Sequence, residues 1–232
     1  MKDLFGKALL DYHNGNYTED IITSTSISED DVLSLPYLFR GFSEMPQLEQ
    51  KALQLAKGKV LDVGCGAGNH SLYLKDKGFD VKSIDISKGA IEVCEKRGLE
   101  HTHVLNILNE TETFDTILML MNGSGLFQNL KNTPKVLRHL KSLLDPNGQI
   151  LIDSSDIKYM YEDDDGGFWI DANAAYYGEL DYQISYKGKS ESMIWMYLDF
   201  DNLKAACETV GLQCELVLEG EHFDYLARLF LD

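Results

Sequence analysis

Apolar positions along the 232 residues follow two alternating rhythms. Short β-branched and aliphatic runs occur at Val60-Leu61-Asp62-Val63, Phe79 to Ile84, Phe114 to Met121 and Gln149 to Ile152, with His101 to Leu105 alternating more weakly. Runs this continuous suit strands buried on both faces. Between them, apolar residues at helical spacing predict helices over 71–77, closed by Gly78, over 87–97 with Ser87 as N-cap and Gly98 as the stop, and over 133–144. Strand and helix in strict alternation predict a parallel sheet. A helix over 203–210 ended by Gly211, and two strands, 213–219 and 223–231, around Gly220, complete the chain.

Two segments break the alternation. Residues 1–56 carry no strand pattern and predict helices around Leu4 to Tyr12, Glu29 to Phe39 and Glu44 to Ala56, with starts at Ser28-x-x-Asp31 and at Ser43 before Pro46-Gln47. This reads as a helical cap. In residues 154–198, Leu180 to Tyr186 and Ser192 to Phe200 alternate like strands around Lys187-Gly188-Lys189, which predicts a hairpin inserted on the carboxyl side of the sheet. The length suits one domain, divided as 1–56 cap, 57–153 core, 154–198 insertion and 199–232 terminal helix and hairpin.

Composition narrows the partners. With 44% hydrophobic and 25% charged residues the chain has a globular balance. It contains no apolar run near the ~20 residues of a membrane span, and its start lacks an apolar signal core. A cytoplasmic protein without membrane contact is expected, as monomer or homodimer. The net charge of -17 argues against nucleic acid. Cys65, Cys94, Cys207 and Cys214 form no C-x-x-C pair and read as reduced core residues. No metal is expected: the acidic run Glu162 to Asp165 reads as a solvated loop, and His101 and His103 as surface residues.

The chemistry concentrates in Lys59 to His70, KVLDVGCGAGNH. Gly64, Gly66 and Gly68 permit a tight turn and close approach of a ligand to the backbone, at the start of a helix whose free N–H groups favour lone pairs and negative charge. Asp85 closes the next strand, about 20 residues on, at the spacing where a carboxylate meets ribose hydroxyls. The order is G-x-G-x-G, with Asn69 where a nicotinamide fingerprint has its third glycine.

Asp62 to Gly68 resemble the first motif of the class I S-adenosylmethionine-dependent methyltransferases, and LDPNGQILID resembles the third. The resemblance implies an α/β, Rossmann-like class I methyltransferase fold: a mostly parallel seven-stranded sheet with an antiparallel terminal hairpin, an N-terminal helical cap and a β-hairpin insertion after the fifth strand. It implies S-adenosylmethionine as cofactor, with S-adenosylhomocysteine as product. By resemblance, Gly64, Cys65, Gly66 and Gly68 lie along the cofactor's amino acid and sugar, Asp62 meets its ammonium end, and Asp85, followed by Ile86, holds the ribose. Asn106, where many relatives carry an acid, and Ile107 would serve the adenine. Met121 and Asn122 stand where relatives present the methyl group. Arg40 would reach the cofactor carboxylate as a fork donor, or else be a surface arginine. Tyr12, Tyr17 and Tyr37 would wall the substrate or pack the core.

The expected reaction is in-line methyl transfer to a small molecule. No D/N-P-P-Y signature follows the fourth strand, where Met121-Asn122-Gly123-Ser124 stands, and no other catalytic motif is present. No residue is singled out as catalytic: Asp153, Asp156, His222 and the insertion tyrosines are all candidate bases. The alternatives are a non-catalytic binding module on the same fold and a nicotinamide-dependent oxidoreductase. Substrate choice is expected to rest with Ser154 to Tyr197 and the N-terminal cap, through the tyrosines and tryptophans gathered there.

Overall fold

The structure is a computed structural model and describes residues 2–163, 165, 167–168 and 175–231. Its main layer is a seven-stranded sheet ordered β10-β11-β7-β6-β3-β4-β5. The strands are β3 (Lys59–Val63), β4 (Asp80–Asp85), β5 (Thr102–Val104), β6 (Phe114–Met119), β7 (Leu144–Ser155), β10 (Gln213–Glu219) and β11 (Asp224–Phe230). The neighbours from β7 to β5 pair in parallel, while β11 runs antiparallel to both β7 and β10. The order reverses between β3 and β4 on one side and β6 on the other, which opens a crevice beyond their carboxyl ends.

The central runs read as continuously apolar because both faces are covered. Leu61, Val63, Ile117, Met119, Ile150 and Ile152 pack towards α5 (Thr133–Ser142) and α6 (Phe200–Val210). Their neighbours Val60, Leu118 and Leu151 pack on the other face with Leu48, Ala52 and Leu53 of α2 (Gln47–Leu55) and Leu74 of α3 (Asn69–Asp76). Asp145 to Gly148 form an irregularity inside the long strand β7, with Asn147 at φ 67°.

A second sheet, absent from the expected architecture, covers the carboxyl side. It is ordered β2-β1-β8-β9, with β1 (Ile21–Thr25), β2 (Ser28–Leu33), β8 (Glu179–Tyr186) and β9 (Lys189–Met196). The segment Glu29 to Phe39, read as helix, is thus corrected: it supplies most of β2 and then a 3-10 turn at Pro36–Phe39. Ser28 opens a strand, not a helix. The acidic residues Glu29, Asp30 and Asp31 hid the strand, since β2 is an edge strand and largely exposed. The insertion hairpin forms as expected, except that β9 ends at Met196 and Phe200 begins α6.

This roof sheet is held down by α1 (Leu4–His13). Ile21, Ile184 and Tyr186 bury against Leu4, Ala8 and Leu9, and the Tyr186 hydroxyl donates to Asp11 at 3.1 Å. On its other side α1 crosses α4 (Lys88–Lys96), where a Cβ on Gly89 would stand 2.5 Å from the Gly6 backbone. The Asp3 carboxylate accepts from Gly6 N at 3.1 Å and from Gly89 N at 2.9 Å, and so caps both helices.

Candidate functional site

The glycine loop leaves β3 and enters α3 with Gly64, Gly66 and Gly68 at φ 72°, 54° and 82°. An L side chain adopts this left-handed region at a cost of about 1–2 kcal/mol. At Gly68 there is also no room, since a Cβ would lie 2.8 Å from Leu99 and 2.9 Å from Cys94. Gly64 faces open space. The loop is tied to the end of β4: Gly64 N and Cys65 N donate to the Ile84 carbonyl at 2.8 and 3.1 Å, and Gly66 N to Asp85 Oδ2 at 3.0 Å.

Asp85 also accepts from Ser87 N at 2.8 Å, so each carboxylate oxygen keeps a lone pair for a further donor. Burial pushes its carboxyl up, against the pull of the Ser87 and Gly66 N–H groups. Beside it, Ile86 is 52% exposed and, beyond β5, Leu108 is 42% exposed. Ile107, expected at the adenine, is buried in the core, and the exposed apolar side chain next to it is Leu108. Asn106 is exposed, but its Oδ1 accepts from Leu108 N at 2.9 Å.

Asp62 is 2% exposed and accepts from Ser71 Oγ at 2.6 Å, with Ser83 Oγ donating to Ser71 Oγ at 2.7 Å. It therefore braces the loop to α3 and β4 from inside. Burial raises its carboxyl, while His70 and Ser71 draw it back down. Cys65 lies 3.7 Å, sulfur to sulfur, from Cys94, and both are buried thiols.

Arg40 is no surface residue. Its guanidinium pairs with Glu49, donates to the Tyr37 carbonyl at 2.7 Å and lies 3.8 Å from the centre of the Tyr37 ring. The other Glu49 oxygen meets His70 Nε2 at 2.7 Å. Burial works against charge on both, yet Glu49 ends lowered by His70 and Arg40, and His70 ends raised by its bond to Glu49. Arg40 Nε is buried and has no hydrogen-bond partner among the described residues.

At the end of β6, Met121 and Asn122 are both left-handed, at φ 63° and 61°. Asp153, at the end of the adjacent β7, holds them there by accepting from Met121 N and Gly123 N, each at 3.0 Å. Met121 is 39% exposed. Asn122 is turned inward: its Nδ2 donates to the Met196 carbonyl at 3.2 Å and its Oδ1 accepts from Ser154 Oγ at 3.1 Å. It thereby fastens the roof to the main sheet.

Residues 37–217 match the family described as methyltransferase domain. Among solved structures, an S-adenosylmethionine-dependent methyltransferase from Bacteroides fragilis, in complex with S-adenosyl-L-homocysteine, is 42% identical over 99% of this chain and 95% of that chain, with a TM-score of 0.93. The chain belongs to the S-adenosylmethionine-dependent methyltransferases. Curated relatives match over shorter stretches. A probable S-adenosyl-L-methionine-dependent methyltransferase of Haemophilus influenzae is 35% identical over 40% of this chain and 35% of its own length. A glycine/sarcosine N-methyltransferase of Halorhodospira halochloris is 28% identical over 60% of this chain and 54% of its own. The chain thus spans about a third to a half of those relatives.

Within this methyltransferase, the candidate bases separate. Burial pushes the Asp153 carboxyl up to about 6, with Glu49 adding to the rise and the Gly123 and Met121 N–H groups opposing it. Asp156 accepts from Lys158 N and Tyr177 Oη. His222 is exposed in the β10–β11 turn. Tyr176 and Tyr177 donate to Asp199, and burial, foremost, pushes both phenols up, Tyr176 beyond the usual phenol range, so they serve as neutral donors. Tyr12 packs on Phe39, Tyr17 donates to Asp20, and Tyr37 alone of the three N-terminal tyrosines stands beside Arg40. Trp169 lies outside the described residues. Among the described residues no cluster of three or more His, Cys, Asp or Glu is disposed to hold a metal, and no helix is long and apolar enough to cross a membrane.

Sequence reasoning missed Glu49, its pairing with His70, and the Asp153 clasp. No local motif announces these contacts, although His70 and Asp153 each close a sequence motif. His70 closes the glycine stretch, and its place at the start of α3, facing α2, was the one available signal.

Proposed function

We propose that the chain binds S-adenosylmethionine over Gly64 to Gly68 and transfers its methyl group to a small-molecule acceptor, leaving S-adenosylhomocysteine. The observation that carries this reading is the left-handed glycine loop whose Gly66 N–H is given to Asp85, with Gly64 open to the crevice. The residues fit the cofactor. The orphan Arg40 Nε–H is complementary to its carboxylate, the spare lone pairs of Asp85 to its ribose hydroxyls, and Ile86 and Leu108 to the faces of its purine. Asp62 supports the loop rather than reaching out, being engaged by Ser71. The Bacteroides fragilis protein with bound S-adenosylhomocysteine supports the same assignment.

When bound, the cofactor supplies an electrophilic sulfonium methyl. The protein's part is to align the acceptor, exclude water and hold Met121 in place, and positioning of this kind contributes on the order of 7–11 kcal/mol. A small acceptor is supported over nucleic acid by the net charge of -17.

The test is thermal unfolding with S-adenosylmethionine, S-adenosylhomocysteine and nicotinamide nucleotides. The two sulfur nucleosides should each raise stability by about 2.7 kcal/mol at one hundred times their dissociation constant. Stabilisation by nicotinamide nucleotides alone would overturn the reading.

A further inference from the structure

The inner face of the roof sheet is divided. Pairing of Thr23 with Ile184, Thr25 with Tyr182 and Asp31 with Thr23 sets these residues on one face. Around Ile21, Ile184 and Tyr186 that face is sealed by α1. Around Thr25, Asp31 and Tyr182 no described residue seals it, and there it forms one wall of a cleft of about 360 Å³, lined also by the largely buried Leu180. The opposite wall is the 3-10 turn Ile157–Tyr161, with Tyr197 between them. A concave sheet face of this mixed apolar and polar character is suited to a ligand.

The walls continue the segments that meet at the carboxyl end of β6. Ile157 follows two residues after β7, which carries Asp153. Tyr197 follows Met196, whose carbonyl is held by Asn122 and Ser124. The lining has a definite chemistry. Tyr159, Tyr182 and Tyr197 line it with aromatic rings and the exposed Met160 with apolar surface, backed by the buried Ile157 and Leu180. Tyr159 is 45% exposed, its ring stacked on Phe223 at 5.1 Å. The charged groups in the lining are Glu29 and Asp31, and among the described residues that line the cleft none is Lys, Arg or His. Lys158, in the same turn, is directed instead at the Phe168 ring, 4.5 Å from its centre. Burial pushes the Tyr197 phenol up to about 12, and raises Tyr182 as well. The rings therefore remain neutral at physiological pH, with electron-rich faces and no phenolate charge.

We propose that this cleft is the acceptor site and selects a cation, namely a small molecule that carries an ammonium group on an aromatic or apolar body. Aromatic faces attract cations through their quadrupole, and the two carboxylates at the β2 side set the sign of the local field. The same carboxylates repel an anionic acceptor. The inference rests on the methyl-transfer reading for its role as acceptor site, but the selectivity is a property of the cleft alone.

The test is calorimetry on the full chain saturated with S-adenosylhomocysteine, with three matched probes: 2-phenylethylammonium, 2-phenylethanol and phenylacetate. The ammonium should bind at least about tenfold tighter than either other probe, as expected for a cation over ring faces with a carboxylate nearby. The double substitution Glu29→Gln and Asp31→Asn, both at exposed positions, should shrink that preference to about threefold or less. Tyr159→Leu, which keeps apolar bulk and removes the ring, should weaken the ammonium by about threefold while leaving 2-phenylethanol within about twofold. Circular dichroism and the S-adenosylhomocysteine titration, recorded on the same samples, separate the two readings. Loss of nucleoside binding by the wild-type chain sinks the proposed function. Intact nucleoside binding with no preference for the ammonium, or a preference that survives the double substitution, sinks the cation site alone.

Discussion

The glycine-loop region and the roof sheet lie on the same side of the molecule and are built by opposite strategies. In the first, the contacts that tie the loop to β4 and α3 join residues close in sequence: Gly64 and Cys65 to Ile84, Gly66 to Asp85, Ser71 to Asp62. In the second, Ile22 pairs with Ser185 and Thr25 with Tyr182, and Leu4 N donates to Glu191. A short βαβ unit can be specified by spacing alone, so different proteins can share it while their acceptors differ. A sheet assembled from both ends of the chain depends on surfaces that no local pattern announces, and is free to vary with the substrate.

The contrast can be broken at either end. The largest effect is expected from Gly66→Val, which forces a β-branched side chain into a left-handed position at φ 54° beside the ligand crevice. S-adenosylhomocysteine binding should disappear from calorimetry while the far-ultraviolet circular dichroism stays that of the wild type. Retained binding would show that the loop is not the cradle.

Next, Ile184→Ala opens a cavity between the roof and α1, where Ile184 is 5% exposed, and should cost about 2–5 kcal/mol. If the two regions are energetically separate, hydrogen exchange should quicken in β1 and β8, leave β3 and β4 protected, and change the nucleoside affinity by only a few-fold. Uniform loss of protection would show one cooperative unit.

Asp85→Ala is the complementary change. It removes a charged acceptor from the crevice and should weaken S-adenosylhomocysteine by about 1.5–3 kcal/mol. The roof amides should exchange as before, and an unaltered dissociation constant would remove Asp85 from the site.

The smallest effect concerns the clasp that holds Met121 and Asn122 at the end of β6. Asp153 has a carboxyl pushed up to about 6 in the folded chain, against about 3.9 when unfolded. The folded state therefore holds the extra proton between those values, and stability falls as pH rises from about 4 to about 6. Asp153→Asn has no proton to lose. Its stability relative to wild type should rise by about 2 kcal/mol from pH 4 to pH 7 in urea unfolding. A pH-independent difference would mean that the carboxylate is solvated rather than buried.

What could be read in advance follows the same division. The central strands of the main sheet were legible because two-sided burial writes itself as unbroken apolar runs, as in Phe114 to Met119, while the outer β5 and β10, largely exposed, showed only as weaker alternation. The loop glycines and Asp85 were legible because their backbone conformations and spacing admit few residue types. The strand Ser28–Leu33 was not, since an exposed edge strand of Ser, Glu and Asp carries the composition of a turn or helix start. The burial of Ile107 and exposure of Leu108 were not legible because a 3-10 turn at Ile107–Asn109 rotates the chain by an amount that alternation does not encode. The Arg40–Glu49–His70 chain is assembled from three elements, and each partner alone looks like a surface residue.

The pairing of β1 with β8 also sets a timetable. When residues 21–33 leave the ribosome, the strand that completes their sheet lies roughly 160 residues away, so at about 5–20 residues per second the hairpin waits on the order of ten seconds or more for its neighbour. Throughout that interval one side of β1 is an unsatisfied hydrogen-bonding edge, open to any passing strand. The acids of β2, Glu29, Asp30 and Asp31, then act as a guard, because two nascent hairpins approaching each other would bring like charges together.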